Sequence, residues 1–167
     1  EKSAREAYEQ LENDSGISYV STDNVVRVTA LSEREGADCI QSDRYKQYLK
    51  KQGKNQQVVV AVVDTGVDTK HSFLQGRLLK GANFSGENAK DNYSDKHGHG
   101  THVSGIVVDN TPANVKILPV KVLKSSGSGT SLSIKMGIDY AVSRGANVIN
   151  LSLGGMCDGV CEMDKAV

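Results

Sequence analysis

Chemistry in this sequence concentrates in two short stretches. The first, Asp64-Thr65-Gly66, directly follows the apolar run Val58–Val63. A carboxylate at the carboxyl end of a strand, freed by a glycine turn, is placed to orient a partner group. The competing reading is a turn aspartate satisfied by local backbone N–H groups. The second stretch, His97-Gly98-His99-Gly100-Thr101-His102, packs three of the chain's four histidines into six residues, just ahead of the apolar positions Val103, Ile106 and Val107. Packing alone does not explain that density with interleaved glycines, and two chemistries compete for it. As ligands, His97, His99 and His102 could hold zinc and activate a water for hydrolysis. As a general base, His99 at a helix start could be held by Asp64 and take a proton from a nucleophile.

Either chemistry needs a scaffold, and the pattern around these stretches alternates strands and helices. Val58–Val63 is a continuous β-branched run, the signature of a strand covered on both faces. Val115–Leu123 and Asn147–Leu153 read as two more strands. Helical pattern occupies about 41–51, ended by Gly53-Lys54-Asn55, then His99–Val108, then Thr130–Arg144 with Gly145 as C-terminal cap. Strands alternating with helices imply an α/β fold, an open and mostly parallel sheet with helices on both faces. In such sheets functional residues sit where strands end at the carboxyl edge. Ahead of this, residues 3–12 read as a helix opened by a Ser3/Glu6 capping box, and Ile17–Val20 and Val25–Val28 as short strands. The polar passage Ser32-Glu33-Arg34-Glu35-Gly36 reads as a linker, with a domain boundary expected in 29–36.

Composition narrows the partners. At 167 residues the chain suits one domain, or one domain plus a fragment of another. Lys+Arg and Asp+Glu balance at 20 each and no basic stripe is visible, so neither nucleic acid nor an anionic membrane is expected as a partner. The longest apolar run, Val58–Val63, falls far short of the roughly 18 residues of a membrane span. The sequence opens at Glu1 without a recognisable signal segment, so localisation is not readable there. Cys39, Cys157 and Cys161 are too few for a disulfide framework, although Cys157 and Cys161 could bridge in an oxidising compartment. Zinc on those two cysteines is disfavoured, because no further ligands lie near them in sequence. Asp91 and Asp95 could bind a hard cation, but a solvated loop ahead of His97 is the preferred reading, and no cofactor is expected.

Taken jointly, the motifs resemble the subtilisin-like serine proteases, the subtilases. Val60-Ala61-Val62-Val63-Asp64-Thr65-Gly66-Val67-Asp68, with His71 shortly after, is similar to that family's catalytic-Asp segment. Gly98-His99-Gly100-Thr101-His102-Val103-Ser104-Gly105-Ile106 is similar to its catalytic-His segment. Pro119–Leu123, Ser126-Gly127-Ser128-Gly129 and Val148-Ile149-Asn150-Leu151-Ser152-Leu153-Gly154-Gly155 follow in the family's order. The resemblance implies that Asp64 orients His99 and that His99 is general base and acid. It implies that Gly127, Ser128 and Gly129 on one side, and Ser152, Leu153 and Gly154 on the other, pair with an extended polypeptide substrate. Residues 4–28 resemble the last helix and strand of the subtilase propeptide, and Gly36-Ala37-Asp38-Cys39-Ile40-Gln41 resembles the start of the mature enzyme. The implied division is 1–30, the end of a small α+β prodomain acting as chaperone and inhibitor, and 36–167, the N-terminal part of the catalytic domain. Maturation cleavage would fall in about 26–35, and the location would be secreted or cell-surface.

The pattern also departs from the family. Subtilases take their nucleophile from a Gly-Thr-Ser-Met-Ala type segment and their oxyanion-hole Asn from another, both after the Ser-Leu-Gly-Gly strand; neither occurs up to Val167. The implied sheet is therefore incomplete at its C-terminal side, the serine lies beyond residue 167, and the chain alone is expected to be inactive. Gly129-Thr130-Ser131-Leu132 mimics the nucleophile segment, but its position at a helix start assigns Thr130 or Ser131 to capping. The family's calcium ligand after the catalytic Asp is replaced by Phe73, and Val107–Val115 is too short for its calcium loop. Rival readings are a zinc metallohydrolase using His97, His99 and His102, a dimeric aspartic protease built on Asp64, and a non-catalytic pseudoprotease.

Overall fold

The computed structural model describes residues 39–53 and 56–154, all within the unit Glu33–Val167. The expected helix at 3–12, the strands at 17–20 and 25–28, the boundary in 29–36 and the Cys157/Cys161 pair lie outside the described residues.

Helix α1 spans Ser42–Lys51, with Asp43 in its first turn and Lys50 and Lys51 in its last, each charge complementing the helix dipole. Gly53 follows at φ +64°. Strand β1, Val58–Asp64, is one of the two inner strands of a four-stranded sheet ordered β2-β3-β1-β4 among the described residues, where β2 is Ala82–Asn83, β3 is Val115–Lys121 and β4 is Val148–Asn150. Every pairing is parallel. In the β1–β3 register Val58 faces Val115 and Asp64 faces Lys121, so both strands end level at their carboxyl edge.

The two-residue period of β1 sorts its side chains between two cores. Val59, Ala61 and Val63 join Leu118, Val120, Ile134, Ile138 and Ala141 on the face covered by helix α3, Ser131–Ser143. Val60 and Val62 join Ile117, Val115, Leu74 and Val108 on the face covered by helix α2, His99–Asn110. A strand buried this way has no polar face, which is why its sequence reads as an unbroken apolar run.

The helix ends are chemically explicit. Thr130 caps α3 in a reciprocal box with Ser133, each side chain bonded to the other's backbone N–H at 3.1 Å. At the far end Gly145, φ +72°, donates to Val142 O and Ala146 to Ala141 O, a Schellman stop. Two elements had no periodic signal in the sequence, the two-residue β2 and the 3-10 helix Ser72–Leu74. Asn147–Leu153 reads as a strand in sequence, yet only Val148–Asn150 pairs, because β4 meets β1 solely along Val60–Val62. Among the described residues no helix is long and apolar enough to cross a membrane.

Candidate active site

The site forms where β1 ends and α2 begins. Asp64 has a fully buried side chain, and its Oδ1 accepts the N–H of Thr65 at 2.6 Å. Its backbone carbonyl accepts Val122 N–H at 2.8 Å and Leu123 N–H at 3.2 Å, which fixes the turn against the end of β3. Nδ1 of His99 lies 2.8 Å from Oδ1 and 2.9 Å from Oδ2 of Asp64. An ionised carboxylate only accepts, so this contact makes Nδ1 the protonated nitrogen and leaves Nε2 as the basic one. The His99 side chain is 42% exposed, with its partner buried behind it.

Local backbone explains how the two meet. Gly98 adopts φ +99°, a left-handed turn that launches α2 at His99. Gly100 packs against the Gly66 carbonyl so closely that a Cβ there would overlap the oxygen. Thr65 Oγ1 accepts Gly100 N–H at 2.9 Å and donates to Asp95 Oδ1 at 2.9 Å. Asp95 in turn accepts from the N–H groups of His97, Gly98 and Thr101 and from the Thr101 hydroxyl. Burial opposes charge on Asp95, but hydrogen bonds from Thr101, Gly98 and Thr65 outweigh it and hold the carboxyl below its ordinary value. The solvated-loop reading of Asp95 is thereby corrected: its carboxylate is a half-buried anchor, whereas Asp91 is exposed.

Behind the turn sits Lys121, 1% exposed, in register with Asp64. Its Nζ donates to Thr65 O at 2.8 Å and Leu123 O at 2.7 Å and lies 3.7 Å from Glu87 Oε2. Bonds from the Ser125 N–H and hydroxyl, with help from Lys121, hold the Glu87 carboxyl below its ordinary value. Sequence reading passed over Lys121 as a functional position. Its signal was a lysine inside an otherwise apolar strand, Val115–Leu123.

A cleft of about 610 Å³ opens over His99 and Thr65, and Gly127, Ser128, Gly129, Ser152, Leu153 and Gly154 line it. His97 borders the same cleft, its Nε2 pressed so close to Gly127 that a Cβ there would come within 2.9 Å. A larger pocket of about 910 Å³ lies across the His97 loop, lined by His71, Phe73, His102 and Ile106, and contains neither Asp64 nor His99. Of the two, the smaller cleft is the one lined by His99, whose ring meets the buried Asp64 behind it.

The three-histidine zinc arrangement is not formed. His99 turns its Nδ1 to Asp64, the His97 ring stands edge-on with centroids 6.3 Å apart, and His102 lines the other pocket. Among the described residues no group of three His, Cys, Asp or Glu side chains converges to hold a metal. The physical reason is the left-handed Gly98, which separates the direction of His97 from that of the helix it precedes. Ser131 is the first residue of α3, behind the Thr130 cap.

The sequence profile described as the Subtilase family matches residues 55–166. The chain belongs to the subtilase family. This is a family of serine proteases, and relatives include the cell wall-associated protease of Bacillus subtilis (strain 168), 48% identical over 58% of this chain and 12% of its own length. Subtilisin DY of Bacillus licheniformis is 43% identical over 71% of this chain and 42% of its own length. Subtilisin-like protease 4 of Trichophyton equinum is 34% identical over 90% of this chain and 42% of its own length. The crystal structure of a cold adapted subtilisin-like serine proteinase matches with a TM-score of 0.52 at 36% identity, covering 62% of this subtilase chain and 39% of that one. The chain thus spans less than half the length of these relatives.

Proposed function

We propose that the protein is the N-terminal part of a serine endopeptidase acting on polypeptides. In this reading Asp64 holds His99 by Nδ1, and Nε2 of His99 removes the proton of a serine hydroxyl as its oxygen attacks the scissile carbonyl. The same imidazole returns that proton to the departing amine, and a water then repeats the cycle to free the acyl group. Asp64 stays ionised and stabilises the imidazolium. The serine and the oxyanion donors come from beyond residue 167, so the chain alone is inactive, since oxyanion stabilisation is commonly the largest catalytic term. The substrate backbone lies extended between Gly127–Gly129 and Ser152–Gly154. Residues 1–30 act as the end of a propeptide that assists folding and inhibits 36–167, with cleavage in about 26–35, and the enzyme works outside the cell or at its surface.

The observation that carries this reading is the contact of His99 Nδ1 with both oxygens of a fully buried Asp64, opening on a cleft between two backbone edges. A serine-directed phosphonylating probe tests it, applied to this chain and to a longer product of the same reading frame, followed by peptide mapping. Labelling solely downstream of Val167, lost in His99→Ala, is the expected result. Labelling of Ser131 would overturn the assignment of the nucleophile, and no labelling in the longer product would return the pseudoprotease reading.

A further inference from the structure

We infer that Asp95, acting through the hydroxyl of Thr65, is the positioning residue that sets the angle between His99 and Asp64; the inference rests on the reading of those two as orienter and base. His99 begins α2, where backbone N–H groups lack partners within the helix and the first turn is free to fray or rotate. Here that freedom is removed from both sides of His99. Gly98 N–H is held by Asp95 Oδ1 at 2.9 Å, and Gly100 N–H by Thr65 Oγ1 at 2.9 Å. Thr101 N–H is held by Asp95 Oδ2 at 2.9 Å, with its hydroxyl on the same oxygen at 2.6 Å. Asp95 Oδ1 also takes His97 N–H at 3.0 Å and the Thr65 hydroxyl at 2.9 Å.

Every clamp therefore ends on one carboxylate or on the residue next to Asp64. Thr65 is the joint, since its backbone N–H fixes Asp64 Oδ1 while its hydroxyl ties α2 to Asp95. The turn bearing the carboxylate and the helix bearing the imidazole are thus referred to one charged anchor rather than packed independently. Charge-assisted bonds are shorter and stiffer than neutral ones, and five donors on one carboxylate leave α2 little room to turn about its axis. A small rotation of α2 would carry Nδ1 off its bidentate position, and reaction geometry tolerates little of that. Asp95 touches neither the cleft floor nor a reacting atom, so its effect passes through His99.

The readout is the low-field proton resonance of His99 Nδ1–H, which requires no nucleophile and is measured on the full chain. Its assignment is its loss in Asp64→Asn. Asp95→Asn, which removes the charge at constant shape, and Thr65→Val, which cuts the joint, are expected to shift that resonance upfield or abolish it while thermal unfolding stays cooperative. Thr65→Ser, which keeps the hydroxyl, restores it. An unchanged resonance in folded Asp95→Asn and Thr65→Val, with only a lower melting temperature, overturns the inference and leaves the Asp64–His99 reading intact. Absence of an Asp64-dependent resonance in the parent chain overturns the reading itself. Thr65→Val leaves Asp95 and its bonds to α2 in place, and an unchanged resonance in it overturns the inference even should Asp95→Asn fail to fold.

Discussion

Lys121 has almost no access to water, and burying its ammonium is costly unless its protons find acceptors. Its ammonium is tolerated because two carbonyls accept from it and Glu87 lies close. Replacing it by Met keeps much of the volume but leaves the Thr65 and Leu123 carbonyls without a donor. A loss of about 2–4 kcal/mol follows, measured by chemical denaturation. A loss under about 1 kcal/mol would mean that water or a neighbour replaces the ammonium. Asp95 carries a pH signature of definite sign. Its folded carboxyl lies below the ordinary value of about 3.9, so the unfolded chain binds the proton more readily. The associated stability is present above about pH 4 and lost as pH falls through the folded value. The gap in melting temperature between the parent and Asp95→Asn is therefore widest near neutrality and narrows as pH falls below about 5; a constant gap would contradict this.

At the scale of elements, helices α2 and α3 are each anchored by groups at their ends. Arg77 closes α2 by donating to the Val115 carbonyl at 2.7 Å and the Thr111 hydroxyl at 2.8 Å, with further bonds to the Thr111 and Val108 carbonyls. Burial lowers its guanidinium pKa from the ordinary value, and the fork geometry is one that lysine cannot reproduce. Arg77→Lys should lower stability by about 1–3 kcal/mol and speed amide exchange in the last turn of α2. Helix α3 separates a cap from a nucleophile. Thr130→Ala removes the capping box and costs about 1 kcal/mol, whereas Ser131→Ala leaves both stability and probe labelling near the parent's. Equal costs for the two would place the cap elsewhere.

For the whole molecule, the organising fact is one strand shared by two cores. Ile117, fully buried beneath α2, should cost about 2–5 kcal/mol as Ile117→Ala. Leu132, 61% exposed on the outer side of α3, should stay within about 0.5 kcal/mol as Leu132→Ala. Denaturation midpoints compare the two directly, and a similar cost at both would mean that α3's outer face is covered in solution. Among the described residues β4 pairs with β1 over three residues, and Val148 within it and Leu151 just after it are exposed.

Legibility followed the range of the interactions. The apolar run of β1, the start of α2 at His99, the Thr130 cap and the Gly145 stop were readable because each depends on neighbours a few residues apart. The motif order carried the family expectation, and the alternation of strands and helices carried the α/β fold. Other features stayed hidden because they depend on strands and loops distant in sequence. The β1–β3 register puts Lys121 opposite Asp64, and the turn into α2 gives Asp95 its five donors. The sequence by itself singled out Asp64 and His99 as candidates to orient and to take a proton, and Thr130 or Ser131 as the cap. Tertiary structure alone decided how His99 reaches the buried carboxylate, because that geometry is set by the backbone turn at Gly98 and by the approach of Gly100 to Gly66, across 35 residues of chain.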